Sequence, residues 1–172
     1  REKNNMSFFT KKKIVATHNG TFHADDLFAC ATASLYFKEK NQPFKIIRTR
    51  DKSKIEKADV VFDVGGILNP SINRFDHHQK EGAGLRHNSI PYASFGLAWK
   101  HFGLELCAGD KDVWEQIDKS IASPIDATDN GVDIIKPIFD GISPYSGAQT
   151  LLTYSPTWKE DESKMDEIFL EQ

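Results

Sequence analysis

The chain has 172 residues, a formal net charge of −3, 39% hydrophobic and 27% charged residues. That is enough for one globular domain with a sizeable core. No apolar run approaches the roughly 20 residues of a helical membrane span, and the weakly acidic balance carries no general signature of a duplex nucleic-acid binder.

In chain order, Arg1 to Met6 is polar and lacks the apolar core of a secretory signal, so residues 1–10 are set aside as an N-terminal extension. Lys13 to Thr17 predicts a short buried strand that runs into the polar turn His18-Asn19-Gly20-Thr21. Leu27, Phe28, Ala31 and Leu35 recur at helical spacing and predict a helix over about Ala24 to Lys40. Asp25 and Asp26 fall at its start, where carboxylates favour the positive end of the dipole. Phe44 to Thr49 reads as a second strand, Asp51 to Lys57 as a charged connection, and Asp59 to Val64 as a third strand ended by Gly65-Gly66. Arg74 to Asp76 is a candidate short strand, followed by a Gly-rich polar loop over Gly82 to Ser89. A helix is expected from about Ile90 to Phe102, with Pro91 in its first turn. Another is expected over Lys111 to Asn130, kinked or broken at Pro124 and stopped by Gly131. Ser143 to Leu152 reads as partly helical, Ser155 to Trp158 as a turn, and Glu162 to Gln172 as the beginning of a last helix. Alternating strands and helices predict an α/β fold with a mostly parallel sheet. Cys30 and Cys107 lie far apart inside apolar patterns and read as free thiols. They fit a reducing, cytoplasmic location.

Asp/His islands interrupt this pattern. They are His18 with His23-Ala24-Asp25-Asp26, then Asp63 at the end of Val60-Val61-Phe62, then Asp76-His77-His78, then Asp126 and Asp129. Singly each has a plain explanation: caps at Asp25 and Asp26, a turn at Asp63, an exposed His pair, a solvated helix face at Asp126 and Asp129. Jointly they fit the rim where parallel sheets bind ligands, beyond the carboxyl ends of the strands. Mixed carboxylate and imidazole donors suit Mn²⁺, and also Zn²⁺, Fe²⁺ or Co²⁺, whereas Mg²⁺ or Ca²⁺ would favour a shell nearly all oxygen. They outnumber the needs of one tetrahedral ion. Two ions about 3.5–4 Å apart, sharing a carboxylate, would lower the pKa of bound water and clamp a phosphoryl group. Arg48 and Arg50 near a strand end, and Lys80 and Arg86 after the His pair, are candidate phosphate contacts, with solvated surface as the alternative.

The order of these segments resembles the DHH phosphoesterase superfamily, and more closely its melanocyte-proliferating-gene (Myg-type) family. The resemblance is carried by Thr17 to Asp25, Arg48 to Asp51, Asp63 to Gly66 and Phe75 to Gln79. It continues through Ser94 to Trp99, Ile125 to Gly131 and Pro156 to Trp158. It implies a Rossmann-like DHH domain over 11–158 holding two divalent metals, Mn²⁺ preferred and Mg²⁺, Co²⁺ or Zn²⁺ as alternatives. His18, His23 and Asp63 would hold one metal, and Asp25, Asp63, His77 and Asp126 the other. His78 would contact the scissile phosphate and Asp76 would orient a neighbouring histidine. Asp129 competes with Asp126. Relative to the superfamily, His23 stands where Asp is common. Family members continue into a second domain, of which 159–172 would be the truncated start. The implied activity is a metal-dependent 3'-5' exonuclease on RNA or short single-stranded nucleic acid. The alternatives are a hydrolase of pyrophosphate or a nucleotide, and a non-catalytic metal-binding module.

Overall fold

The structure, a computed structural model, describes residues 11–142, 146–156, 159 and 162–172. The N-terminal extension 1–10, the predicted helix start at Ser143, and Thr157 and Trp158 of the last motif lie outside the described residues.

The β-branched runs form the sheet. β1 (Lys13–Thr17) is flanked in parallel by β2 (Phe44–Arg48) and β3 (Val60–Phe62), with Val15 opposite both Ile46 and Val60. β3 pairs in parallel with β5 (Arg74–Phe75), and β4 (Leu68–Asn69) closes the edge antiparallel to β5. The order is β2-β1-β3-β5-β4, a mostly parallel, Rossmann-like sheet. The chain moves to one side of β1 to make β2 and to the other to make β3. The β1/β3 boundary is therefore the point where strand order reverses and a crevice opens.

Alternation along the strands divides the two faces. Val15, Val60, Phe62 and Phe75 join α1 (Ala24–Glu39) and α3 (Ser94–Leu106) in the main core through Leu27, Ala29, Cys30, Phe95, Ala98 and Phe102. Burying each such aliphatic or Phe side chain contributes roughly 1.5–3 kcal/mol. Ala16 and Val61 face the opposite way onto Ile55 of α2 (Lys52–Lys57), with Ala58 and Val64. Both cysteines are free thiols, Cys30 buried and Cys107 half-buried.

Several elements depart from the sequence expectation. The charged connection contains α2, capped by the Asp51 side chain, which accepts from Ser53 N–H. α3 begins at Ser94, not Ile90, because the Asp25 carboxylate accepts the N–H groups of Ser94 and Phe95 at 3.0 and 2.7 Å. Pro91 instead bridges to Leu85. The long helix divides into α4 (Lys111–Ile117), a π turn over Asp118–Ala122, and α5 (Ser123–Asp129). The widening precedes Pro124, which sits in the first turn of α5, where a missing N–H is tolerated. α6 spans Gly147–Leu152. After a 3-10 turn over Glu162–Lys164, α7 (Met165–Glu171) returns Met165 and Phe169 to the main core.

Candidate metal centre

Beyond the carboxyl ends of β1 and β3, His18 and Asp63 meet at the strand-order reversal. Asp63 adopts φ +53°, a left-handed conformation that costs a non-glycine residue roughly 1 kcal/mol and that Asp tolerates better than most. Gly65 and Gly66 follow, also at positive φ. Such strain is found where a side chain must be aimed. One Asp63 oxygen (Oδ2) lies 3.3 Å from His18 Nε2; the other (Oδ1) lies 3.2 Å from His77 Nε2. A single carboxylate thus stands between two groups of donors.

On the first side, His18 Nε2 is 3.2 Å from Asp26 Oδ2. The candidate ligand atoms of His18, His23 and Asp26 lie within 4.8 Å of one another. Asp26 is placed by the start of α1, where its Oδ1 accepts the His23 N–H at 2.7 Å as in a capping box. On the second side, His77 Nε2 is 3.1 Å from Asp129 Oδ2 and 4.0 Å from Asp25 Oδ2. The same 4.8 Å limit joins Asp25, His77 and Asp129, and also Asp63, His77 and His78.

These neighbours converge without satisfying each other. Asp26 Oδ2, Asp63 Oδ1 and His77 Nε2 are buried and have no hydrogen-bond partner. Buried polar atoms without partners are costly unless something binds them. Burial, reinforced by the charges of Asp63 and Asp129, pushes the Asp25 carboxyl well above its ordinary range. Burial likewise lifts Asp26 to about 6, against the charge of His18. Burial disfavours the charged form of Asp63 too, but the close pairing with His18 and His77 prevails and holds it below the ordinary carboxylate range. For His77, burial is outweighed by the nearness of the Asp129 and Asp63 carboxylates, and its pKa rises to about 10. His18 is raised as well: the nearness of Asp63 and the charge of Asp26 overcome burial. The donor set of carboxylate oxygens and imidazole nitrogens fits one or two divalent ions, with Asp63 shared.

At the rim, His78 is exposed. Its Nδ1 lies 2.8 Å from Asp76 Oδ1, which also accepts the His78 backbone N–H at 3.0 Å. The second Asp76 oxygen accepts Gly66 N–H at 2.6 Å, tying the loops after β3 and β5 together. An open polar crevice of about 730 Å³ faces the cluster, lined by His18, Gly20, Arg50, Asp63, Gly66 and His78 among others.

Of the other residues expected at the site, Arg50 lines the crevice, whereas Asp126, Arg48, Arg86 and Lys80 do not. Asp126 is fully buried, one oxygen accepting Gly96 N–H at 2.9 Å and the other Arg86 Nη1 at 2.6 Å. Its carboxylate is used, and Asp129, one turn on, reaches His77 instead. Arg86 is buried against Asp118 and Asp126, with its guanidinium 4.2 Å from the Tyr92 ring, so it does not face solvent phosphate. Arg48 is buried too. It donates to Asp166 at 2.8 Å and to the Gly20 carbonyl, and stacks 4.7 Å from Phe169, tying the turn after β1 to α7. Arg50 is exposed on the crevice wall, and Lys80 is exposed outside it. Asp26, which the sequence offers as a helix cap and leaves out of the implied ligand set, stands with His18 and His23; its place three after His23 was the signal.

Residues 14–171 match the family model MYG1_exonuc, described as an uncharacterised protein family, UPF0160. The mouse MYG1 exonuclease is 33% identical over 167 residues, covering 85% of this chain and 43% of the mouse protein. The human MYG1 exonuclease is 32% identical over 165 residues, covering 84% of this chain and 43% of its own length. A MYG1 protein of Dictyostelium discoideum is 38% identical over 130 residues, covering 69% of this chain and 39% of that one. The chain spans about half the length of the curated relatives it matches or less. No solved structure matches it.

Proposed function

The chain belongs to the MYG1_exonuc family, and from that footing we propose that it is the metal-binding part of a phosphoesterase of the DHH type, acting as a 3'-5' exonuclease on single-stranded RNA or another short single strand. The observation that carries this reading is Asp63, held in a left-handed turn with its two oxygens directed at two histidines on opposite sides. His18, His23, Asp26 and Asp63 would hold one ion; Asp25, Asp63, His77 and Asp129 would hold the other. Mn²⁺ is the preferred ion on donor chemistry, with Mg²⁺, Co²⁺ or Zn²⁺ as alternatives. Bound divalent ions supply an activated water and neutralise the non-bridging oxygens of a phosphoryl group.

The chain's own groups do the rest. Asp25 is fixed by two backbone N–H groups of α3, so its carboxyl is held near His77 without rotating. With Asp76 accepting from His78 Nδ1–H, the imidazolium form of His78 would present Nε2–H to a phosphate oxygen or pass that proton to the leaving group. Arg50 on the crevice wall contributes positive charge for the phosphodiester backbone.

The test is turnover of a 3'-labelled and a 5'-labelled oligoribonucleotide, beside pyrophosphate, each with Mn²⁺. Release of mononucleotides from the 3' end is the expected result. Hydrolysis of pyrophosphate alone would assign the site to small phosphates. Tight Mn²⁺ binding with neither reaction would make this chain a non-catalytic metal module.

A further inference from the structure

The cluster sits where two cavities meet, since His23 and Asp129 line both. The polar crevice already described holds Arg50 and the glycine turns. The second cavity, about 800 Å³, runs the other way between α1, α5 and α6. Its walls are Phe28, Ile121, Pro124, Ile125, Leu151 and Leu152, and it opens onto Asp25 and Asp129. Among the described residues no lysine or arginine lines it, and its carboxylates are Asp25 and Asp129. A second phosphate would face those carboxylates with no lysine or arginine beside it, so the cavity suits an uncharged, largely apolar group.

Three hydroxyls on its walls, those of Ser120, Thr128 and Ser146, are engaged locally. Ser120 Oγ donates to the Gln116 carbonyl at 2.6 Å and Thr128 Oγ1 to the Pro124 carbonyl at 2.9 Å. Ser146 Oγ accepts Gln149 N–H at the start of α6. The cavity therefore offers a surface to lie against more than a set of donors and acceptors to be read.

We propose that this cavity is a nucleobase subsite, taking the base of the nucleotide whose phosphate lies at the Asp63, His77 and Asp129 cluster. The proposal rests on the phosphoesterase reading and adds to it the recognition of a base by apolar contact. Every base has a flat apolar face, so such contact is tolerant of sequence. Purines and pyrimidines both enter. A phosphate ligand without a base loses that share of its binding.

The experiment is calorimetric titration of the full chain, loaded with Mn²⁺, with AMP, UMP, ribose 5-phosphate and inorganic phosphate. The same titrations are made on Ile121→Asp, whose side chain is partly exposed on the cavity wall. AMP and UMP should bind about tenfold more tightly than ribose 5-phosphate, and within about threefold of each other. In Ile121→Asp that advantage should disappear while Mn²⁺ and ribose 5-phosphate bind as before. If nucleotides bind no better than ribose 5-phosphate, the subsite is overturned and the metal and phosphate reading stands. If no phosphate ligand requires Mn²⁺, the phosphoesterase reading itself falls. Strong preference for one base overturns recognition by surface alone. If the protein dimerises, Ile121→Asp abolishes the dimer and nucleotide binding is untouched, the cavity belongs to a second copy and the subsite is again overturned.

Discussion

Asp126 and Asp129 stand one turn apart on α5, and their surroundings differ in kind. Asp126 is enclosed and matched, with one oxygen on a backbone N–H and one on a guanidinium. Asp129 is part of a cluster of acids and imidazoles that approach one another yet leave Asp26, Asp63 and His77 atoms unpartnered. Proximity of charged groups therefore does not mark a functional site by itself. The Arg86, Asp118 and Asp126 network closes on itself, whereas the His18, Asp63 and His77 cluster leaves buried donor atoms without hydrogen-bond partners. A buried ion pair is poor evidence for function; a buried excess of acceptors is better.

The comparison can be broken most forcibly at Gly96. A methyl group there would lie 1.8 Å from Asp126 Oδ2 and 2.5 Å from Arg86 Nη2. Neither can retreat without splitting a buried pair, so Gly96→Ala should lose about 4 kcal/mol or fail to fold in urea titrations. An unchanged midpoint would mean that the network is soft. Next, the two aspartates should part. Asp126→Asn should lower stability by about 3 kcal/mol with little change in Mn²⁺ affinity. Asp129→Asn should keep stability within about 1 kcal/mol while Mn²⁺ affinity falls at least roughly tenfold. The reverse pattern would return the ligand role to Asp126.

Protons sharpen the contrast further. His77 has its pKa raised from 6.5 to about 10 in the fold. In the metal-free protein its ion pairs therefore stabilise fully below pH 6.5, and that contribution is lost as pH rises through about 10. A metal ligand must be a neutral imidazole, so ions compete with this proton and bind more tightly as pH rises. The gain in Tm on adding Mn²⁺ should grow across that window; a gain independent of pH would contradict the assignment of His77. The smallest effect is expected at Arg48. Arg48→Lys keeps the charge but loses the fork that spans Asp166 and the Gly20 carbonyl. About 1 kcal/mol of stability should be lost, with a slight weakening of Mn²⁺ at His18.

Much of this arrangement was readable in the sequence. The strands announced themselves by β-branched runs, and His18, Asp63 and His77 each follow a strand, so the parallel sheet carries them to one rim. The order of Asp126 and Asp129 was not readable. Three residues apart they share a helical face, and the guanidinium that engages Asp126 comes from Arg86, 40 positions away. The burial of Arg48 and Arg86 was hidden for a similar reason. Arg86 finds its partners 32 and 40 positions away and Arg48 finds Asp166 118 positions away. Local sequence shows only two arginines near loops. α2 was hidden because only Ile55 of its six residues is buried, leaving almost no apolar pattern.

The central claim is that Asp63 is shared between two metal positions. Its most direct test is calorimetric titration of the full chain and of Asp63→Asn with Mn²⁺; asparagine keeps the left-handed turn and removes the charge. The account predicts two ions for the natural sequence and loss of tight binding at both positions in the variant. No Mn²⁺ binding by the natural sequence, or two ions held as tightly by Asp63→Asn, would contradict it.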